Sequence, residues 1–416
     1  MKEQILQQVK RAREAATTLA LADTAQKNNA LERMAVWLER EMEAVVEANK
    51  LDMTSGREKG LSAALLDRLM VDQARIRSMA EGIRQLMALH DPVGEGTRMW
   101  LGADGIQITQ VRTPLGVVGM IYEARPNVTV DAAGLCLKSG NAVVLKGGSE
   151  AIHTNTVIAG LLRSAVAEAG LPEESIQFIE HTDRSAAGYL MSLNEWVDVL
   201  IPRGGAGLIQ TVVDQSRIPV LETGVGNCHL YLDESAEAGM AERILINGKT
   251  QRPGVCNALE TLLVHRSFAQ KNLPGMIKRL IGLGVEVRGC EETCRLSDQA
   301  KPASETDWEA EYLDLILAVK VVNSLEEAIA HINQFGTGHS EVIVTENYSH
   351  SRQFQQEVDA AVVYVNASSR YTDGFQFGFG AEIGISTQKM HARGPMGLEA
   401  LTSIKYQVLG AGQVRK

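Results

Sequence analysis

Nowhere among the 416 residues do about 18 apolar residues run together without a charge, so no segment offers the length of hydrocarbon that a membrane-spanning helix needs. The opening residues, MKEQILQQVKRAREAA, spread charge through an amphipathic helical pattern, which is not the pattern of a secretory leader. Cysteine is scarce: five residues, at 136, 228, 256, 290 and 294, odd in number and scattered. That excludes a disulfide framework, predicts a reducing, cytoplasmic setting, and leaves at least one thiol for chemistry. Cys290-x-x-x-Cys294 has no second pair at zinc spacing and the nine histidines form no His-Glu-x-x-His cluster, so no metal is expected. No basic run interrupts a net charge of -10, which argues against nucleic acid and requires any anionic ligand to be held by local donors. Walker loops, a Gly-x-Ser-x-Gly elbow and the G-x-G-x-x-G dinucleotide fingerprint are absent as well.

What is present is a globular composition, 45% hydrophobic and 22% charged, long enough for two large domains. Residues 1 to 90 read as successive packing helices, with helical apolar spacing in Ala30-Leu-Glu-Arg-Met-Ala-Val-Trp-Leu-Glu39 and Ala63-Ala-Leu-Leu-Asp-Arg-Leu-Met70. Ile106-Gln-Ile-Thr-Gln-Val-Arg112 and Thr402-Ser-Ile-Lys-Tyr-Gln-Val-Leu409 alternate instead, as half-exposed strands do; together they could form a protruding sheet that meets another subunit, or stand as solvated edges. Between them apolar runs at 117–121, 142–145, 176–179, 197–201 and 218–221 alternate with helical stretches near 128–138, 152–169, 184–192 and 206–214. A second series follows Gly224-Val-Gly226: strands near 228–232, 259–265, 285–288, 315–322, 341–345 and 361–365, helices near 235–247, 267–281, 324–334 and 348–358. Short apolar strands separated by helices imply parallel sheets covered on both faces, with ligands at the carboxyl ends of the strands.

Cys256 stands in Lys249-Thr-Gln-Arg-Pro-Gly-Val-Cys-Asn-Ala-Leu-Glu260. Gly254 and Pro253 shape the turn that presents it, and Arg252 and Lys249 are placed to favour the thiolate of a group whose ordinary pKa is about 8.5. A buried structural thiol is the bland alternative. Two glycine loops at strand ends, Leu145-Lys-Gly-Gly-Ser149 and Pro202-Arg-Gly-Gly-Ala-Gly207, combine backbone N–H groups, a helix start and a cation, which suits phosphate; singly each is an ordinary turn. Glu222, ending Ile218-Pro-Val-Leu-Glu222, is either a general base or a cap. Arg125, Arg203, Arg252, Arg370 and Arg393 lie in turn-like contexts rather than on helix faces, where planar guanidinium groups could clamp a small, doubly anionic substrate.

A nucleophilic cysteine on the second α/β domain, a glutamate 34 residues before it, and an arm strand paired with the C-terminus resemble the aldehyde dehydrogenase superfamily. Ile121-Tyr-Glu-Ala-Arg-Pro-Asn-Val-Thr-Val130, Leu200-Ile-Pro-Arg-Gly-Gly-Ala-Gly207, Lys249-Thr-Gln-Arg-Pro253 and His391-Ala-Arg-Gly-Pro-Met-Gly-Leu-Glu-Ala-Leu401 are similar to the branch that reduces gamma-glutamyl phosphate. The resemblance implies an aldehyde-dehydrogenase-like α/β fold: two parallel-sheet domains plus a small β oligomerisation arm. Residues 1–104 and 117–225, with 367–399 returning, would bind cofactor; 226–366 would be catalytic; 105–116 and 400–416 would form the arm of a homodimer or homotetramer. It also implies NADPH-dependent reduction of L-glutamyl 5-phosphate to L-glutamate 5-semialdehyde and phosphate through a Cys256 thioester, the second step of proline biosynthesis, with a separate glutamate 5-kinase supplying the substrate. By the same resemblance Asn127 is the oxyanion amide, although the spacing of hydrolytic members falls on Glu123. Lys146, Gly147 and Ser149 would take the adenosine ribose, the small Ser149 leaving room for the 2'-phosphate of NADP. Arg203, Gly204, Gly205 and Gly207 would cover the pyrophosphate, Glu311 the nicotinamide ribose, and Arg125, Arg252, Arg370 and Arg393 the substrate. Glu222 matches the base of hydrolytic members, a role that a phosphate-releasing enzyme does not need. Rival readings are a hydrolytic aldehyde dehydrogenase, a cofactor-free cysteine hydrolase and a binding-only relative.

Overall fold

The computed structural model describes residues 1–415; Lys416, the last residue of the expected arm, lies outside them. Five helices open the chain: α1 (Lys2–Leu19), α2 (Thr24–Arg40), α3 (Met42–Glu58), α4 (Ala63–Leu69) and α5 (Gln73–Ala88). Each of the longer ones buries one stripe, Ile5, Val9, Ala12, Ala16 and Leu19 in α1, and α2 starts at a reciprocal Asp23–Gln26 capping box. Two strands follow, β1 (Gly96–Leu101) and β2 (Gln107–Pro114). Strand and helix then alternate through β3 (Val117–Tyr122), α6 (Pro126–Lys138), β4 (Ala142–Lys146), α7 (Ile152–Glu168), β5 (Ile176–Phe178), α8 (Arg184–Met191), β6 (Val199–Arg203) and α9 (Ala206–Gln215). The four strands form a parallel sheet in the order β5-β4-β3-β6, and β3 is buried at every residue, as a strand covered on both faces must be. The strand predicted at 218–221 reduces to one bridge, Leu200 with Val220, because Pro219 has no N–H to extend a ladder.

The second series runs β7 (Cys228–Leu232), α10 (Ala238–Thr250), β8 (Leu259–His265), α11 (Arg266–Gly282), β9 (Glu286–Gly289), α12 (Glu291–Leu296), β10 (Lys301–Pro302), β11 (Ile316–Val322), α13 (Leu325–Phe335), β12 (Ser340–Val344), α14 (Tyr348–Glu357) and β13 (Val362–Val365). Its strands make one parallel sheet ordered β10-β9-β11-β8-β7-β12-β13. The chain ends with short β14 (Ile385–Ser386) and β15 (Gly394–Pro395), then β16 (Thr402–Leu409), which pairs antiparallel with β2 to give a three-stranded sheet ordered β1-β2-β16. That arm takes in β1, a segment the sequence pattern leaves with the first domain. All six of its residues are exposed, so no buried face marks it as a strand.

Two compact units result: residues 1–223, 378–384 and 395–416, and residues 224–377 and 385–394. The stretch 367–399 is thus divided between the units rather than returning whole to the first. Among the described residues no helix is long and apolar enough to cross a membrane.

Candidate active site

In the first unit the residues of interest gather at the carboxyl ends of β3, β4 and β6. Lys146, the last residue of β4, is 6% exposed and donates from Nζ to the Gly147 carbonyl at 2.7 Å. Burial holds its ammonium below the usual lysine range, with the Glu150 carboxylate pulling the other way. Ser149 is exposed, and its hydroxyl lies 3.3 Å from Glu150 Oε2, so the place read as room for a 2'-phosphate has a carboxylate beside it. Arg203 ends β6, Gly204 and Gly205 lead into α9, and Gly207 is the second residue of that helix. The Gly205 N–H is already engaged: it donates to Glu123 Oε2 at 3.0 Å. A Cβ on Gly204 would come within 2.7 Å of the Glu123 carboxyl carbon, so glycine there lets the carboxylate approach. Asn127, exposed in the first turn of α6, donates to Asp131 Oδ2 at 3.1 Å. The half-buried Asp131 carboxyl is pushed up to about 6, burial outweighing the Asn127 bond and the charge of Arg203. Arg125 is the N-cap residue of α6, and Glu222, half-buried, precedes Thr223, whose hydroxyl donates to the Pro202 carbonyl at 2.8 Å.

In the second unit Cys256 occupies the turn between α10 and β8 and is partly exposed. Gly226 lies against its backbone; a Cβ there would fall 1.6 Å from the Cys256 carbonyl oxygen, so only glycine fits. Gly226 donates its N–H to Glu311 Oε1 at 2.7 Å, and burial raises the Glu311 carboxyl against the pull of that bond. Arg370, half-buried after β13, donates from Nε to Gln251 Oε1 at 3.0 Å. Its guanidinium is driven below the ordinary arginine value, first by burial and then by the charge of Arg252, while Cys256 and Asp373 oppose the change. Arg252, Arg370 and Cys256 therefore share one electrostatic neighbourhood. Arg393 is committed elsewhere in the unit, donating from Nη2 to Asp359 at 2.9 Å.

Lys249 does not serve the sulfur as the sequence suggests. It lies on the buried stripe of α10, with Nζ 2.8 Å from the Leu259 carbonyl and 2.5 Å from Glu260 Oε2, both side chains fully buried. Desolvation drives the Glu260 carboxyl up to about 7 despite its partner, so the pair is structural. Arg370, whose guanidinium does interact with the charge of Cys256, follows it by 114 residues and is joined to its neighbourhood only by the fold. The sequence marks Glu123 only as the place where the oxyanion spacing of hydrolytic members falls and gives no sign of its bond to Gly205, and it does not single out Cys228, whose thiol donates to the Cys256 carbonyl at 3.2 Å.

Residues 1–295 and 302–406 match the family model described as the aldehyde dehydrogenase family. A gamma-glutamyl phosphate reductase of Moorella thermoacetica is 61% identical over 406 residues, 98% of this chain and 97% of that one. The crystal structure of the gamma-glutamyl phosphate reductase of Thermotoga maritima superposes with a TM-score of 0.97 at 50% identity, covering 99% of this chain and 100% of that chain. An acetylating aldehyde dehydrogenase of Geobacillus thermoglucosidasius, 18% identical, shares the fold at a TM-score of 0.70 over 100% of this chain and 98% of that one.

Proposed function

The chain belongs to the aldehyde dehydrogenase family, and from that membership we propose that it reduces L-glutamyl 5-phosphate to L-glutamate 5-semialdehyde and phosphate with NADPH, the second step of proline biosynthesis from glutamate. The observation that carries this reading is the Arg252–Arg370 pair beside Cys256. The charge of Arg252 disfavours that of Arg370, a conflict that a bound dianion relieves, and an acyl phosphate is one.

Cys256 acts as the nucleophile. Its thiolate attacks the γ-carbonyl carbon; the carbon–sulfur bond forms, the bond to the phosphate oxygen breaks, and phosphate departs with that electron pair. Arg252 and Arg370 neutralise the leaving group. The Cys256 backbone N–H steadies the carbonyl oxygen as it gains charge, and Asn127 keeps its proposed role as an amide donor to that charge. A nicotinamide dinucleotide, when bound, supplies the hydride that reduces the acyl group. Collapse of the resulting thiohemiacetal frees the aldehyde and returns Cys256 to its thiolate. Glu222 is given no water to activate, since hydrolysis of the thioester would waste the acyl group.

The first unit suits the dinucleotide: the Glu123 carboxylate on the Gly205 N–H is an anion seated where a phosphate oxygen would accept. Arg203, Gly204, Gly205 and Gly207 would hold the pyrophosphate, Lys146, Gly147 and Ser149 the adenosine ribose, and Glu311 the nicotinamide ribose. Arg125 and Arg393 are proposed to assist the substrate. The reading includes a homodimer or homotetramer joined through the arm, a separate glutamate 5-kinase, and a cytoplasmic setting that suits five free cysteines.

The test is the reverse reaction, reduction of NADP or NAD by glutamate 5-semialdehyde with and without phosphate. Strict dependence on phosphate or arsenate is expected, with NADP the better cofactor; full-rate oxidation without either would make the enzyme a hydrolytic aldehyde dehydrogenase. Cys256→Ala should abolish turnover while leaving NADPH affinity within about twofold in a fluorescence titration.

A further inference from the structure

Cys256 carries one group that the chemistry above leaves unused, its own backbone carbonyl. Cys228, the first residue of β7 and wholly buried, donates its thiol to that oxygen at 3.2 Å. The Ser340 backbone N–H, on the neighbouring strand β12, acts electrostatically on the Cys228 sulfur. The same carbonyl is flanked by Gly226, which the Glu311 carboxylate holds by its N–H at 2.7 Å. On the far side of this peptide unit Asn257 is tied down twice: its Nδ2 donates to the Thr372 carbonyl at 2.8 Å, and its carbonyl accepts the Ser369 hydroxyl at 2.7 Å.

A peptide unit is planar, so holding the carbonyl oxygen of residue 256 holds the whole 256–257 plane and with it ψ of Cys256. The direction of the Cα–Cβ bond follows from the backbone on either side, and that bond carries the sulfur. We propose that Cys228 is a positioning residue for the reaction: its S–H···O=C bond to Cys256 sets the backbone from which the nucleophilic thiol is aimed. The inference rests on the reading of Cys256 as the nucleophile.

Packing alone explains the site less well. A small apolar side chain would fill the same space, yet the atoms around this sulfur are polar: the Cys256 carbonyl, the Ser340 N–H and the imidazole of His339, whose Nδ1 is 3.7 Å away. Burial and the nearby Glu341 carboxylate also hold the Cys228 thiol well above the ordinary range, so it keeps the proton that a donor needs.

Cys228→Ala, Cys228→Val and Cys228→Ser separate the two roles when kcat, KM for glutamate 5-semialdehyde, NADPH Kd and Tm are measured on each. Alanine and valine remove the donor and should lower kcat about fivefold, the factor equivalent to a net hydrogen bond of about 1 kcal/mol, with KM and Kd unchanged. Serine still donates and should keep at least half of the wild-type kcat. If kcat instead tracks side-chain bulk and Tm, with valine equal to wild type and serine impaired, Cys228 is a packing residue only and the proposal is overturned. Cys256→Ala, run alongside, keeps the failures apart. Turnover surviving in that variant removes the nucleophile itself; a dead Cys256→Ala with kcat indifferent to Cys228 removes only the positioning.

Discussion

Glu123 places a carboxylate at the start of α9, on the N–H that a pyrophosphate oxygen would otherwise accept. Any dinucleotide phosphate bound to that turn competes with a charge of its own sign for the same donor. Glu123→Gln keeps the size and an acceptor oxygen while removing the charge, and should tighten NADPH binding about two- to fivefold at low ionic strength, an advantage that salt erases. Titration of NADPH fluorescence measures it; weaker binding in the variant would mean that the carboxylate organises the loop instead of competing for it. Residues differ in how far such roles can be read from the chain. The turn that carries Cys256 is legible because Pro253 and Gly254 mark it immediately before the thiol. Lys249 misled because nearness in sequence says nothing about which way a helical side chain points. Its position on the stripe Ala241, Leu245, Gly248 was the available signal that it faces inward.

At the scale of elements, β3 and β4 announce themselves because both their faces are buried and each reads as a nearly unbroken apolar run. Segments held by side-chain bonds carry no such mark. Residues 304–313, which bear Glu311, have no periodic pattern and depend on Asp307. Its carboxylate accepts from Arg288 at 2.8 Å, from the Ser304 N–H at 2.7 Å and from the Tyr312 hydroxyl at 2.7 Å. These bonds outweigh its burial and hold the carboxyl well below the usual aspartate range. A carboxylate with a depressed folded-state pKa adds stability above its ordinary pKa of about 3.8 and loses it as the pH falls toward the folded-state value. Asp307→Asn should therefore lower Tm at pH 7 by roughly 2–4 °C, and the gap from wild type should begin to narrow below about pH 4 and keep narrowing as the pH falls further toward the folded-state value. Calorimetry across that range checks it. A gap that stays constant would mean that the charge of Asp307 contributes nothing and its shape everything.

For the whole molecule the open question is what the arm is for. A three-stranded sheet draws its stability from a covered apolar face, and this one exposes large apolar side chains on its outer strands. Register places Trp100, Ile108 and Val408 in one row across β1, β2 and β16, with Ile404 and Tyr406 extending the same face. Tyr406 is 57% exposed and Val408 56% exposed, and Trp100 meets Tyr406 edge to face at 6.1 Å between ring centroids. Such a face invites association, and the proposed occupant is a second copy of the chain. Tyr406→Asp with Val408→Asp puts two charges onto that face without touching either parallel sheet. The double variant should shift sedimentation at micromolar concentration from a dimeric or tetrameric species to the monomer. An unchanged oligomer would move the interface off the arm. A monomer that still binds NADPH with wild-type affinity would add that the first unit assembles its cofactor loops from its own residues, the arm serving association alone.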